Sequence, residues 1–214
     1  MSSKATVFVV DDDTAARESV LALITFKGLQ AKGYASAEDF LANYDLNMPG
    51  CLVLDVRMSG MSGLHLQQQL LDMGSTLPII LITGYADVPM AVRAMQNGAV
   101  TFLEKPSQEQ ELWKAIERAL NLEESQLALR KQKAELEARH ATLTEDEVLV
   151  FRKLLEGLPN KRMASDLDIG LRTVELRRSN IMRKMDANSL PELVRMAIVI
   201  GFLKIDVPIA EPPA

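Results

Sequence analysis

Three carboxylates, one hydroxyl and one ammonium group follow apolar runs in the first half of this sequence. In chain order they belong to Asp11, Asp12, Asp55, Thr83 and Lys105. A carboxylate can act as a nucleophile toward phosphorus, and Mg²⁺ needs only two or three carboxylates because it takes hard oxygen ligands and keeps several waters. A lone lysine can pair with a phosphoryl oxygen as a point charge. The set indicates a site for a phosphoryl group beside Mg²⁺, although each residue taken alone could cap a helix or face solvent.

The elements that must position these groups alternate between strand-like and helix-like patterns. Apolar runs at residues 5–10, 30–34, 50–55, 78–83 and 101–104 predict five strands, each followed by apolar residues at helical spacing. Five such units in a row favour an α/β domain with a doubly wound parallel sheet. In an open parallel sheet, ligands bind beyond the carboxyl ends of the strands. The five polar side chains should therefore meet at one edge of the sheet.

Composition and charge predict a soluble, cytoplasmic protein with two domains. The single cysteine, Cys51, lies in an apolar run, where we expect a core residue in a reducing compartment. No apolar run reaches the roughly 20 residues that a membrane span requires. Residues 1–123 hold 9 Lys and Arg against 15 Asp and Glu, net −6, whereas residues 160–185 hold 7 against 3, net +4. This asymmetry indicates different partners for the two parts.

The second half of the sequence shows helical patterns only. Residues 107–143 contain neither proline nor glycine, which predicts one long helix. Its leucines recur every seven residues, but the complementary stripe is polar, which favours a solvated linker helix over a coiled-coil seam. Several helix starts are predicted from capping residues, namely the pairs Ser107/Gln110, Thr144/Glu147 and Ser189/Glu192, and Asn160.

Two of these helices, at residues 160–167 and 172–185, are joined by a glycine-containing turn and predict a helix-turn-helix. One face of the second helix is mostly apolar and carries Val174, Arg177, Ile181 and Met185. The opposite face has side chains of the kinds that read base edges, namely Arg172, Glu175, Leu176, Ser179 and Arg183. Flanking groups that can reach phosphates are Arg178, Asn180, Lys184, Lys161 and Arg162. Charge alone would fit a solvated amphipathic helix equally well.

The spacing of Asp11-Asp12, Asp55, Thr83 and Lys105-Pro106 resembles the receiver domain of bacterial two-component response regulators. The resemblance implies a sheet of flavodoxin-like strand order and an Asp55 that a histidine kinase phosphorylates. It implies that Asp12, Asp55 and the carbonyl of Arg57 bind Mg²⁺, with Asp11 assisting.

The same resemblance assigns the remaining receiver residues. It implies that Thr83 and Phe102 form a switch pair, that Lys105 pairs with the phosphoryl group, and that the Lys105–Pro106 bond is cis. Ser59 stands where a proline is usual, and Ser107 where an apolar or aromatic residue is usual. We expect both departures to alter the lifetime of the phosphorylated state.

The string NKRMASDLDIGLRTVELRRSNIMRKM resembles the LuxR-type DNA-binding domain. With the receiver, nearly the whole chain resembles the FixJ/NarL class of response regulators, and within it the FixJ type. The implied DNA-binding set consists of the base-reading and phosphate-reaching residues above together with Thr173, but without Arg177. Arg177 stands where a histidine is common, and Gly170-Leu171 replace the usual Ser-Pro, so the target sequence is expected to differ.

These observations predict a phosphorylation-controlled transcription regulator rather than an enzyme. The predicted parts are a receiver at residues 1–121, a helical linker at 122–141, a helix-turn-helix domain at 142–207 and a flexible tail at 208–214. The expected partners are a histidine kinase, promoter DNA, RNA polymerase and, after phosphorylation, a second copy of the chain. Two alternatives remain open, namely a receiver that works without phosphorylation and a phosphatase that uses Asp55 as its nucleophile. The phosphatase is disfavoured because Arg57 stands where the familiar aspartyl-phosphate hydrolases have a second Asp.

Overall fold

The computed structural model describes residues 5–46, 48–85, 87–106 and 108–204 of the chain. The chain divides into two compact units, Met1–Leu127 and Ala128–Ala214. The first unit alternates strands with helices: β1 Thr6–Val10, α1 Thr14–Phe26, β2 Gln30–Tyr34, α2 Ala37–Asn43, β3 Gly50–Asp55, α3 Gly63–Asp72, β4 Ile79–Thr83, α4 Val88–Gln96 and β5 Thr101–Glu104. Helix α5, Glu109–His140, contains the division between the units. The second unit continues with α6 Glu145–Leu155, α7 Asn160–Asp166, α8 Leu171–Met185 and α9 Leu190–Val199.

The sheet confirms the doubly wound α/β prediction. Its strand order is β2-β1-β3-β4-β5, and every neighbouring pair is parallel. β3 and β4 are buried along their whole length, which is why both read as continuous apolar runs. Reversal of the strand order at β1 leaves a crevice beyond the carboxyl ends of β1 and β3.

Two hydrophobic clusters cover the two faces of this sheet. Because successive side chains of a strand point to opposite faces, Phe8 of β1 joins the cluster that contains Phe40 of α2, whereas Val9 joins the cluster of Ile24 and Ile116. Cys51 lies fully buried in the second cluster, as its sequence context predicts. Burial raises the pKa of the Cys51 thiol to about 12, so this thiol stays protonated at neutral pH.

Side-chain caps fix the helix starts on which the site depends. Asp13 caps α1 by accepting hydrogen bonds from the backbone amides of Ala15 and Ala16, and Asp87 caps α4 through the amide of Met90. A cap of this kind stabilises a helix by about 1 kcal/mol. Asp13 and Asp87 lie in the short connections that follow β1 and β4, so capping sets where each helix starts near the edge of the sheet.

The predicted caps of the second unit are confirmed with one exception. Thr144 and Glu147 form a reciprocal capping box at α6, and Ser189 caps α9. The prediction for Asn160 is wrong, because Pro159 occupies the N-cap position of α7 and Asn160 is its first residue. The side chain of Asn160 instead accepts a hydrogen bond from Arg178 of α8 at 3.0 Å. The predicted cap at Ser107 lies outside the described residues.

The second unit has its own core, built from one face of each helix. Phe151 of α6, Met163 of α7, Val174 and Ile181 of α8 and Leu193 of α9 are all fully buried in one cluster. The prediction of one long helix from residues 107–143 is confirmed by α5, which spans Glu109–His140. Within the described residues, no helix combines the length and the apolar character that a bilayer-spanning helix requires.

Candidate functional site

The carboxylates of Asp11, Asp12 and Asp55 form one cluster at the carboxyl edge of the sheet. Each offers an oxygen, and these oxygens lie within 4.8 Å of one another. Asp11 follows β1 directly and Asp55 ends β3, and the two strands pair in register up to Val10 and Leu54. The side chains of Asp11 and Asp55 are 7% and 9% exposed, respectively, whereas Asp12 is exposed. The cluster therefore reaches from the sheet to solvent.

Lys105 supplies the positive charge of the cluster. Its ammonium donates a hydrogen bond to Asp11 Oδ2 at 2.7 Å and lies 3.4 Å from Asp55 Oδ2. Lys105 follows β5, two strands away from β3, and its backbone amide donates to the carbonyl of Thr83 at 2.7 Å. The Lys105–Pro106 peptide bond is cis, as the sequence resemblance implies. One ammonium thus contacts carboxylates from two separate strands.

The surroundings shift the pKa values of these groups in different directions. Loss of hydration on burial raises the pKa of Asp55, and the charge of Asp11 acts in the same direction against the opposing charge of Lys105. The pKa of Asp12 is lowered, chiefly because its carboxylate accepts a hydrogen bond from the Ser59 amide. Burial by itself would lower the pKa of Lys105, but the hydrogen bond to Asp11 and the two carboxylate charges outweigh it and raise that pKa. The ammonium is consequently charged throughout the physiological range.

The residues predicted to respond to a phosphoryl group lie on β4 and β5. Thr83 is fully buried, and its hydroxyl oxygen accepts a hydrogen bond from the Tyr85 amide at 3.3 Å. A hydroxyl that accepts in this way still has its own hydrogen to donate. Phe102 of β5 is partly buried and packs against the cluster that contains Phe8. Neither side chain takes part in the ladder hydrogen bonds of the sheet, because backbone groups form that ladder.

The donor set fits a hard divalent cation. The groups are carboxylate oxygens, which Mg²⁺ prefers. Asp55 Oδ1 is also buried and has no hydrogen-bond partner among the described residues. A buried carboxylate oxygen without a partner is costly, and a cation in the cluster would remove that cost. The carboxylate donors and this oxygen are compatible with a divalent cation in the cluster.

Two contacts of this site are missing from the sequence-based prediction. The backbone amide of Ser59 donates to Asp12 Oδ2 at 2.7 Å, and the amide of Met61 donates to Glu38 Oε1 at 3.1 Å. Both link residues that lie more than 20 positions apart, 47 and 23, respectively. The only signal in the sequence is Ser59 itself, because a proline at that position would have no amide hydrogen.

The helix-turn-helix consists of α7, a turn and α8. Asp168 in the turn has a φ of 50°, a left-handed conformation that aspartate tolerates better than most residues. Val174, Ile181 and Met185 of α8 are fully buried. The exposed face of α8 carries the five predicted base-reading residues, Arg172, Glu175, Leu176, Ser179 and Arg183. Leu176 is 61% exposed, and an apolar side chain on such a face can contact a thymine methyl group.

Several basic side chains near this face are already paired within the unit. Lys184 donates to Glu147 Oε2 at 2.6 Å and to the carbonyl of Thr142 at 2.9 Å. Arg178 donates to Asn160, and Arg177 forms an ion pair with Asp146. The sequence predicts Arg177 on the apolar face, and this exposed partner allows its charge to lie at the edge of the core.

The other residues predicted to contact DNA differ in their solvent exposure and in whether they already form an ion pair. Arg162 lies 3.1 Å from Asp166 on the same helix, and both Arg162 and Lys161 are exposed. Thr173 and Asn180 are partly buried on α8. A phosphate could attract exposed cations away from weak surface pairs, whereas the Lys184 pair with the buried Glu147 is more costly to break.

Comparison with known families divides the chain in the same way. Residues 7–117 match the model of the response regulator receiver domain. Residues 141–197 match the model of bacterial regulatory proteins of the luxR family. Together the two matches cover most of the chain.

Individual proteins resemble the chain over nearly its full length. The transcriptional regulatory protein FixJ of Rhizobium meliloti (strain 1021) is 46% identical, covering 92% of this chain and 97% of that protein. The response regulator protein TodT of Pseudomonas putida is 43% identical, covering 92% of this chain and 87% of that protein. A solved structure of the response regulator StyR is 42% identical with a TM-score of 0.82, covering 91% of this chain and 98% of that one.

Proposed function

Because this chain belongs to the two-component response regulators with a LuxR-type DNA-binding domain, we propose that phosphorylation of Asp55 controls its binding to promoter DNA. Membership makes the chain a FixJ- and TodT-like transcriptional regulator and not an enzyme. The receiver domain implies a histidine kinase as partner, and the LuxR-type domain implies DNA binding.

The observation that carries the assignment is the cluster of Asp11, Asp12, Asp55 and Lys105. Asp55 is the proposed phosphoacceptor, because its carboxylate lies at the end of β3, within the acidic cluster and 3.4 Å from the Lys105 ammonium. Its carboxylate oxygen attacks the phosphorus of a kinase phosphohistidine, so that a P–O bond forms while the P–N bond breaks. Lys105 Nζ, now 3.4 Å from Asp55, then pairs with a phosphoryl oxygen and balances part of the added charge.

The acidic cluster is proposed as the site of Mg²⁺. Asp12, Asp55 and the carbonyl of Arg57 would hold the cation, and Asp11 would assist by orienting Lys105. When bound, the cation neutralises charge on the transferring phosphoryl group. The cluster has three carboxylates and one ammonium, so its net charge is negative when all four groups are ionised. This charge favours the binding of a divalent cation.

Thr83 and Phe102 are proposed to carry the signal from Asp55 to the surface of the unit. The Thr83 hydroxyl, which accepts a hydrogen bond from Tyr85, can donate its own hydrogen to a phosphoryl oxygen. Movement of Thr83 toward that oxygen vacates space into which the partly buried Phe102 ring can turn. This change alters the face formed by α4 and β5, where Val88, Val92 and Met95 are exposed. An exposed apolar face of this kind suits pairing with a second copy of the chain.

The recognition helix is proposed to be α8. Arg172, Glu175, Leu176, Ser179 and Arg183 face the bases, and Lys161, Arg162, Thr173, Arg178, Asn180 and Lys184 line the backbone side. A dimer would place two such helices about 34 Å apart, one turn of DNA. RNA polymerase at the promoter is the expected final partner of the bound dimer.

The proposed parts are a receiver at residues 1–121, a linker at 122–141, a DNA-binding domain at 142–207 and a tail at 208–214. The ranges matched by the two families support this division. The tail lies outside the described residues. We propose that the protein acts in the cytoplasm, because that is where it would meet the proposed kinase and promoter DNA.

The test measures dimerisation and DNA binding with and without beryllofluoride and Mg²⁺. Full-length protein is analysed by sedimentation velocity, and its binding to an oligonucleotide selected from a random pool is followed by fluorescence anisotropy. We expect beryllofluoride to produce dimers and to tighten DNA binding, and we expect Asp55→Asn to abolish both responses. Equal DNA binding with and without beryllofluoride would instead favour a receiver that acts without phosphorylation.

A further inference from the structure

The loop between β3 and α3, residues 56–62, is fixed at both ends by backbone contacts. The amide of Gly63 donates to the carbonyl of Val56 at 3.0 Å and closes the loop. A Cβ atom at Gly63 would lie 2.2 Å from the carbonyl oxygen of Asp55, so only glycine permits this approach. The loop therefore begins and ends beside the phosphoacceptor.

Two carboxylates hold the middle of the same loop from outside it. Ser59 donates its backbone amide to Asp12 Oδ2 at 2.7 Å, and Met61 donates its amide to Glu38 Oε1 at 3.1 Å. Hydrogen bonds to ionised acceptors are about twice as strong as neutral ones. The loop is thus attached to the segment after β1 and to α2.

Gly60 allows the two attachments to lie only two residues apart. It has a φ of +82°, which side chains disfavour. A Cβ atom there would lie 3.2 Å from Glu38 Oε1, closer than most real Cβ contacts. The amides at positions 59 and 61 can therefore reach carboxylates on different elements.

We propose that the backbone amide of Ser59 is a positioning group for Asp12 in the metal site. By holding Oδ2 it fixes the orientation of the Asp12 carboxylate, which keeps further lone pairs with which it can bind a cation. Asp12 is the exposed carboxylate of the cluster. Its Oδ2 accepts a hydrogen bond from the Ser59 amide, which lies 47 positions away in the chain. The inference rests on the proposed Mg²⁺ site and goes beyond it, because it gives a role in this chain to a residue that stands where a proline is usual. Loss of a group that orients a metal ligand typically weakens metal binding about 10- to 100-fold.

The experiment titrates Mg²⁺ into full-length protein by isothermal calorimetry. Ser59→Pro removes the amide hydrogen, whereas the matched control Ser59→Ala keeps it and removes only the hydroxyl. We expect Ser59→Ala to bind Mg²⁺ within about twofold of the wild type, and Ser59→Pro to bind at least about tenfold more weakly. Asp12→Ala serves as the reference for loss of the ligand itself.

A second measurement does not depend on metal or on the folding of the proline variant. Hydrogen exchange at the Ser59 amide, followed by NMR in metal-free protein, should be slow in the wild type and in Ser59→Ala and fast in Asp12→Ala. An equally fast exchange in the wild type would overturn the proposal.

The possible outcomes separate this inference from the metal site on which it rests. Wild-type Mg²⁺ affinity in a folded Ser59→Pro variant would overturn the role of the amide and leave the metal site standing. Equal weakening in Ser59→Ala and Ser59→Pro would assign the effect to the hydroxyl and overturn it as well. Absence of Mg²⁺ binding by the wild-type chain would overturn the site itself, and the inference with it.

Discussion

Replacing Asp55 by asparagine should stabilise the first unit at neutral pH when no divalent cation is present. The carboxylate of Asp55 is buried, and its pKa is raised by loss of hydration and by the neighbouring Asp11. The folded state therefore disfavours the ionised form, which is the form present at pH 7 in the unfolded chain. Asparagine has nearly the same shape and removes the charge.

The charges around Asp55 set the size of this effect. Oxygens of Asp11 and Asp12 lie within 4.8 Å of an Asp55 oxygen, and the Lys105 ammonium lies 3.4 Å away. At an effective dielectric constant of about 20, a carboxylate at the longer distance repels by about 3.5 kcal/mol and the ammonium attracts by about 5 kcal/mol. Because Asp12 is exposed and screened, the repulsion from Asp11 and the attraction by Lys105 leave a net attraction of about 1.5 kcal/mol, which offsets part of the several kcal/mol that the lost hydration costs. We expect a gain of about 2 kcal/mol in the free energy of unfolding.

The stability difference between the wild type and Asp55→Asn should depend on pH. A carboxyl group whose pKa is raised by folding contributes stability below its unfolded pKa of about 3.9, and this stability is lost as the pH rises through the folded pKa. The wild type and Asp55→Asn should therefore be equally stable near pH 3.5 and should diverge toward pH 7.

Urea unfolding in the presence of EDTA measures the difference. The fluorescence of Trp113, the single tryptophan, reports on the first unit separately from the second. Asp13→Asn is the matched control, because it removes an exposed charge and keeps a residue that can cap α1. A loss of stability in Asp55→Asn at pH 7, or a gain of equal size in Asp13→Asn, would refute the reasoning.

Three further predictions concern the second unit and the ammonium of the site. Lys184→Ala should lower the free energy of unfolding by about 3 kcal/mol in urea titrations, because it leaves the buried Glu147 without its counter-charge; Glu147→Gln in the same chain should recover part of the loss. Ile181→Ala should lower the free energy of unfolding by about 3 kcal/mol. Leu176→Ala should change it by less than about 0.5 kcal/mol, because the Leu176 side chain is 61% exposed, but should weaken DNA binding in fluorescence anisotropy. Lys105→Gln should keep the fold by circular dichroism but lose most of the dimerisation that beryllofluoride induces in sedimentation velocity.

The sheet and its carboxylates could be predicted because their signals are local. The run Cys51-Leu52-Val53-Leu54 ending in Asp55 is fully buried, as its composition indicates, and the parallel arrangement brings the strand ends together by a general rule. The clustering of Asp11, Asp12 and Asp55 is a direct consequence. A single strand end would not have sufficed to predict it.

Contacts between distant residues could not be predicted in the same way. Asn160 is a good capping residue by type, but Pro159 takes the N-cap position and Asn160 binds Arg178 instead. Lys184 has the charge of a phosphate-binding residue, but its pairing with Glu147, 37 positions away, depends on how α6 packs on α8. Its assignment to DNA binding stays a prediction. Side-chain type alone does not reveal which of two available partners a polar group selects.

The most direct test of the central claim is whether Asp55 accepts a phosphoryl group in the full-length chain. Protein is incubated with acetyl phosphate in the presence of Mg²⁺ or of EDTA, and the modified residue is located by peptide mass spectrometry. We expect one phosphoryl group on Asp55, formed only with Mg²⁺ and absent in Asp55→Asn. An unmodified chain, or a phosphoryl group on another residue with Asp55 intact, would contradict the account.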